Sequence, residues 1–175
     1  TPFQGRIFAN GDSSEVLEVI ENLPRNVSLF GFSENNNFQI LNFTQDKDGS
    51  NFVLFDKENN NKMSFKTNML GKHNILNAAA AITVAIDEGI SYEGIKQALE
   101  KFIVIERRFQ LISEKVFEKD IILIDDYGHH PEELSVSIST VKEVWPNRKL
   151  LVVFQPHRYS RTKALFDDFV RLLSS

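Results

Sequence analysis

Ile121-Ile122-Leu123-Ile124-Asp125-Asp126-Tyr127-Gly128-His129-His130-Pro131 is the stretch on which the reading of this chain turns. Four aliphatic residues in a row are too few for a helix and suit a strand buried on both faces. Two carboxylates, a phenol and two imidazoles follow directly. Pro131 then marks a helix start, where its missing N–H has no intrahelical partner to lose. Downstream, the apolar spacing predicts a helix from Pro131 to Val144, a buried strand from Lys149 to Phe154 and a helix from about Thr162 to Leu173. Strand, helix, strand, helix predicts a parallel sheet with right-handed crossovers, in which ligands gather beyond the carboxyl ends of the strands.

Working back from that stretch, the segment Phe109 to Phe117 is strand-like, and the basic run at Ile105 to Arg108 reads as a domain boundary. Before it, Ile75, Ala78, Ala79, Ile82 and Ile86 recur at helical spacing and Gly89 stops them. A second helix begins near Ser91, with Ile95, Leu99 and Phe102 on one face. Between Val27 and Leu70 the texture differs. Short Phe-rich runs alternate with Asn35-Asn36-Asn37, Asp48-Gly49-Ser50 and Asn59-Asn60-Asn61, which predicts an antiparallel meander. At the start, Arg6 to Ala9 predicts a short strand, and Ser13 or Ser14 caps a helix carrying Val16, Leu17 and Ile20. The expected fold class is α/β: a small α/β segment with an antiparallel β insert, then the start of a Rossmann-like domain.

Composition limits the chemistry. The 175 residues are 42% hydrophobic and 25% charged, so a packed core is expected. With 20 Lys+Arg against 24 Asp+Glu, the net charge of -4 gives no electrostatic reason to expect nucleic acid or an anionic membrane as partner. The absence of cysteine excludes disulfides, thiolate nucleophiles and cysteine zinc sites, so a metal would need oxygen or His ligands. Ala78 to Ile86, the longest apolar run, is broken by Thr83 and falls far short of the roughly 20 residues of a spanning helix. Thr1-Pro2-Phe3-Gln4-Gly5-Arg6 lacks an apolar signal region. A soluble, cytoplasmic protein is expected, and the missing initial Met points to a piece of a longer one.

Four clusters carry candidate chemistry. In the first, the residues Asp125 to His130 can hold a ribose, orient an amine or move a proton; alternatively Asp125 or Asp126 caps the following helix and the imidazoles are solvated. The second is Phe154-Gln155-Pro156-His157-Arg158-Tyr159-Ser160-Arg161-Thr162. Arginine forks bind carboxylate or phosphate at two points, which suits an anionic ligand. The plainer alternative pairs these arginines with Asp167 or Asp168 across a helical turn. The third is Gly71-Lys72-His73-Asn74-Ile75-Leu76-Asn77-Ala78, where His73, Asn74 and Asn77 could read a purine, or where Asn74 is simply an N-cap. In the fourth, Arg107-Arg108-Phe109-Gln110, an arginine at the boundary can reach a phosphate or remain solvated. No Gly-x-x-x-x-Gly-Lys-Ser/Thr phosphate loop occurs in the chain, so any nucleotide site is completed elsewhere.

Taken together and in this order, these motifs resemble the Mur ligases, the ATP-dependent amide-forming enzymes of bacterial peptidoglycan synthesis. Within the family, Phe154 to Thr162 is most similar to the member that joins L-alanine to UDP-N-acetylmuramate. A sibling that reattaches recycled murein tripeptide is the alternative, and a non-catalytic nucleotide or amino-acid binding module is the alternative from another class. The resemblance implies that residues 1–106 are the C-terminal portion of a central ATP-binding domain and 107–175 the N-terminal portion of a Rossmann-like ligase domain. It implies ATP and Mg2+, with the metal ligands outside this chain, and an internal fragment inactive by itself. His73, Asn74 and Asn77 would hold adenine, Arg107 the phosphates, and Asp126 the ribose. Tyr127, His129, Arg158 and Arg161 would form the amino-acid pocket, with His129 and Arg107 the catalytic pair. UDP-N-acetylmuramate and L-alanine are the implied partners. Self-association is expected from the open edge of a sheet cut after two strands.

Overall fold

The computed structural model describes residues 5–102, 106–113 and 121–174 of the chain. It divides into two compact units, Thr1–Ile103 and Val104–Ser175.

The first unit is a five-stranded sheet with helices packed on it. Strand β1 (Arg6–Asn10) leads through the Ser13 cap, whose hydroxyl accepts from the Val16 N–H at 3.2 Å, into α1 (Ser14–Ile20). Strands β2 (Asn26–Gly31), β3 (Phe38–Asp46), β4 (Gly49–Asp56) and β5 (Asn61–Thr67) follow, and the sheet order is β1-β2-β3-β4-β5. The predicted meander holds for β3, β4 and β5, which are antiparallel. It does not hold for β2, which runs parallel to both β1 and β3, meeting β3 only at Phe30↔Phe38 and Gly31↔Gln39.

The reason lies in the Asn35-Asn36-Asn37 cluster, which pins a loop instead of closing a hairpin. The Asp12 carboxylate accepts from the N–H groups of Phe32 and Ser33 and from the Asn36 amide, at 2.6, 2.9 and 3.0 Å. The Asn37 side chain accepts from the Leu29 N–H at 2.8 Å. These bonds tie the β2–β3 link to the end of β1 and send the chain onward in the same direction.

Alternation along β4 and β5 places Phe52, Leu54, Met63 and Phe65 in the core, the period of two expected of a sheet with one covered face. Helix α2 (Lys72–Asp87) lies across β1, β2 and β3, and α3 (Tyr92–Glu100) lies against β5. Ile75 and Ile82 of α2 are fully buried, each contributing about 1.5–3 kcal/mol relative to exposure. Gly71 caps α2 at φ 89°, a conformation that side chains other than glycine rarely adopt. Ser91 caps α3, and the Tyr92 hydroxyl donates to the Ser64 carbonyl at 2.8 Å.

The second unit contains β6 (Gln110–Ser113), β7 (Leu123–Asp125), α4 (Pro131–Val144), α5 (Tyr159–Ala164) and α6 (Phe166–Leu173). Helix α4 has the predicted bounds. The rest of the expected strand through Phe117 lies outside the described residues, as does Ile105. One expectation is corrected. Strand β7 pairs with β6 in antiparallel fashion, and Lys149 to Phe154, expected as a buried parallel strand, forms no regular element and joins no strand among the described residues. Leu151 and Val153 there are 82% and 91% exposed. The apolar run has strand propensity, but a strand also needs a partner edge to supply its hydrogen bonds. The helix expected from Thr162 is divided at Leu165 into α5 and α6, and α6 buries Phe169, whose ring stacks on Phe154 at 5.1 Å.

Asp12→Ala is expected to lower the unfolding free energy by roughly 1 kcal/mol, the low end for charged hydrogen bonds because solvent reaches this carboxylate. Partial burial raises the Asp12 pKa, but the bonds from Phe32, Ser33 and Asn36 outweigh it and hold the group below 3.8. A carboxylate held low contributes stability above its unfolded-state pKa and loses it as pH falls through the folded value. Thermal melts should therefore show a constant wild-type advantage above about pH 5 that disappears in stronger acid. An advantage that persists in acid would refute the assignment.

Candidate functional site

The densest polar cluster lies where β7 ends. Asp126 organises it from the middle. One carboxylate oxygen accepts from the Phe109 N–H at 2.9 Å and the other from the Gly128 N–H at 2.6 Å, so a single side chain joins two segments 17 residues apart. A side chain at Gly128 would displace the Asp126 carboxylate, because a Cβ there would lie 2.7 Å from its oxygen. Neither Asp125 nor Asp126 caps α4, contrary to the plainer alternative. The cap is His130, the residue adjoining Pro131: its Nδ1 accepts from the Glu132 N–H at 3.4 Å, and Glu133 returns a bond to the His130 N–H at 3.1 Å.

Arg107 is fixed by its backbone and open at its tip. Its carbonyl accepts from the Tyr127 N–H at 2.7 Å, and its N–H donates to the Gln110 side chain at 2.9 Å. Its guanidinium lies 5.0 Å from the Tyr127 ring centre and 3.3 Å from the Asp125 carboxylate, while remaining 58% exposed. Such an ion pair is weak in water, so a phosphate can take the guanidinium over. Arg107 and Phe109 both have left-handed backbone, at φ 59° and 51°.

Tyr127, His129 and His157 cluster, with ring centres 5.3 Å apart for Tyr127–His129 and 6.3 Å for His129–His157, both edge to face, and 6.4 Å for the tilted pair Tyr127–His157. This brings the loop before α5 to the loop before α4. His129 Nδ1 lies 3.0 Å from the Tyr127 carbonyl and 3.5 Å from Glu133 Oε2. Burial pushes the Glu133 carboxyl up, but the His129 and His130 amides and the nearby His129 and Arg108 charges more than offset this, leaving it below its ordinary value.

Arg158 follows at φ 68°, and its guanidinium has no partner among the described residues. Arg161 reaches the His157 carbonyl at 3.4 Å. Their alternative pairing with Asp167 or Asp168 is not formed, since Asp168 binds Arg171 instead. Two arginines following an aromatic and imidazole cluster in the chain are residue types that can take a small carboxylate and face its amine with a proton acceptor.

The remaining predicted residues belong to the first unit. Asn74 is not an N-cap. It is buried in the first turns of α2, where its amide donates to the Leu70 carbonyl at 2.8 Å. Asn77 is exposed and shares a helical stripe with half-buried His73. It supplies the polar side chain of an otherwise apolar groove of about 310 Å³ between α2 and α3, lined also by Met69, Ala81, Ile82, Ile95 and Phe102. Among the described residues no group of three or more His, Asp or Glu side chains is placed to hold a metal ion, and no helix is long and apolar enough to cross a membrane. Sequence reasoning assigned no role to His157, Glu133 or Gln110. Glu133 had a signal, an acid at the third position of a helix, and Gln110 had none.

Comparison with known proteins agrees with this architecture. The Mur ligase middle domain family matches residues 2–85, and the Mur ligase, glutamate ligase domain family matches residues 107–175. The chain belongs to the Mur ligase family. It is 39% identical to the UDP-N-acetylmuramate--L-alanine ligase of Wigglesworthia glossinidia brevipalpis and 42% identical to that of Psychrobacter sp. (strain PRwf-1), each over 99% of its length. It spans only 38% and 36% of those relatives. Among solved structures, the UDP-N-acetylmuramate-alanine ligase MurC of Thermotoga maritima matches 91% of this chain with 43% of its own, at TM-score 0.68 and 27% identity. The Thermotoga maritima MurF ligase, solved in complex with ADP, shares the fold at TM-score 0.67 and 16% identity over 82% of this chain and 32% of its own.

The two adjacent aspartates should differ in the cost of their removal. Asp126→Ala frees two backbone amides and should cost roughly 1.5–3 kcal/mol, whereas Asp125→Ala loses an exposed ion pair and should cost less than about 1 kcal/mol. Urea unfolding curves measure both, and equal costs would show that the Asp126 bridge adds nothing of its own.

Proposed function

We propose that the protein containing this chain is an ATP-dependent ligase that joins L-alanine to the lactyl carboxylate of UDP-N-acetylmuramate, in cytoplasmic synthesis of peptidoglycan precursors. The observation that carries this reading is the likeness, over 99% of the chain, to two relatives with that name. The Tyr127, His129 and His157 ring cluster, with Arg158 next to His157 in the chain and unpaired among the described residues, supports it. On this reading, residues 1–106 are the later part of the central ATP-binding domain and 107–175 the opening part of the C-terminal ligase domain.

The polar groups present suit a nucleotide. Arg107 offers an exposed guanidinium for phosphate, and each Asp126 oxygen keeps a lone pair for a ribose hydroxyl beyond its backbone bond. His73 and Asn77 would read the adenine, with Asn74 anchoring the start of their helix. When bound, ATP with Mg2+ supplies the phosphoryl group that activates the lactyl carboxylate as an acyl phosphate; the metal ligands belong to other parts of the protein. Arg158 and Arg161 hold the L-alanine carboxylate, Tyr127 walls the pocket, and His129 faces the amine. Much of the acceleration in such a reaction comes from bringing the reactants together and neutralising phosphate charge.

In the complete protein, Arg158→Ala should raise the KM for L-alanine by roughly 10- to 100-fold, the loss of a charged hydrogen-bonded contact, while the KM for ATP changes little. Steady-state phosphate release with ATP, Mg2+, UDP-N-acetylmuramate and L-alanine measures both. Equal effects on the two substrates would overturn the carboxylate assignment, and turnover with murein tripeptide but not L-alanine would assign the protein to the recycling sibling.

A further inference from the structure

Glu133 has no part in the scheme above, yet it is the acidic side chain closest to the group that faces the amine. It projects from the first turn of α4. Its Oε2 accepts from the His129 N–H at 2.9 Å and the His130 N–H at 3.1 Å, and lies 3.5 Å from His129 Nδ1. The same Nδ1 lies 3.0 Å from the Tyr127 carbonyl. Both neighbours of Nδ1 are acceptors, and a neutral imidazole facing two acceptors carries its proton on that nitrogen. Nε2 then holds the lone pair.

We infer that Glu133 is a positioning residue that fixes His129 in the Nδ1–H tautomer and balances the charge it acquires, so that Nε2 takes the proton of the incoming ammonium. This deepens the ligase reading and rests on it. In the step concerned, one proton passes from the L-alanine ammonium to Nε2 and the freed lone pair forms the N–C bond to the acyl carbon. The C–O bond to phosphate then breaks, and the second amine proton leaves with the phosphate. A carboxylate behind a histidine acts in this way by orienting the ring and stabilising the imidazolium, without being protonated itself. The geometry also separates this role from simple capping. A glutamine at position 133 keeps an oxygen for the two backbone amides but carries no charge.

The experiment compares two nucleophiles in the complete protein. L-alanine arrives as an ammonium and must lose a proton, whereas hydroxylamine is largely unprotonated at neutral pH and traps an acyl phosphate as a hydroxamate without a base. Glu133→Gln should lower kcat with L-alanine by at least about tenfold, at the low end for loss of general-base assistance, and leave hydroxamate formation within about twofold. The KM for L-alanine should change little, because the arginines still hold its carboxylate. Glu133→Ala should reproduce the L-alanine defect with an added loss of thermal stability. Equal losses with both nucleophiles, or none with either, in Glu133→Gln would overturn the inference. Wild-type protein inert towards both would overturn the ligase reading itself, an outcome distinct from any of these.

Discussion

Everything arranged at the end of β7 depends on one carboxylate reaching two backbones. Asp126 holds the Phe109 amide on one side and the Gly128 amide on the other, and the second bond shapes the turn from which Tyr127 and His129 project. The first bond holds the Arg107 segment in place, so the guanidinium lies over the Tyr127 ring while its tip stays open to solvent. Bonds to an ionised carboxylate are stronger than those between neutral partners, and two such bonds on one side chain set the spacing of two segments at once. The same residue is therefore scaffold for the pocket and candidate contact for a ribose.

The two units divide the work. In the first, a sheet covered by α2 and α3 displays His73 and Asn77 along one stripe of a helix with a buried face, a rigid mount that suits the adenine contact proposed for them. In the second, regular structure is short and the proposed site residues lie on loops: β7 has three residues, and the segment from 149 to 158 has no regular structure. Loops positioned by a scaffold are the usual seat of binding groups. Here the scaffold around the loops is built largely from side chain to backbone bonds by Asp126, Gln110 and Glu133.

Sequence legibility followed the range of the interaction. Helix α4 has the predicted bounds because its start signal, Pro131, and its apolar spacing are local. Of the motif residues, the structure brings Arg107, Tyr127 and His129 together in one unit, along with His157, to which the sequence reading gave no role. The direction of β2 was not legible, because Asn35-Asn36-Asn37 has the composition of a hairpin turn while its side chains bind the backbone of β2 and the carboxylate of Asp12. Lys149 to Phe154 failed for a related reason: a continuous branched, apolar run describes how a segment would sit in a sheet, and pairing depends on a second segment. The contrast between Asp125 and Asp126 is likewise invisible in two adjacent identical letters, since it arises from an amide 17 residues away.

The left-handed backbone at Arg107, Phe109 and Arg158 has a consequence for how this chain can change. Each non-glycine residue there costs on the order of 1–3 kcal/mol, and two of the three carry the guanidiniums of the proposed site. Glycine would relieve the strain at each position while deleting its side chain. Selection for stability alone, in the laboratory or in a lineage that no longer needed the reaction, would therefore favour loss of the site.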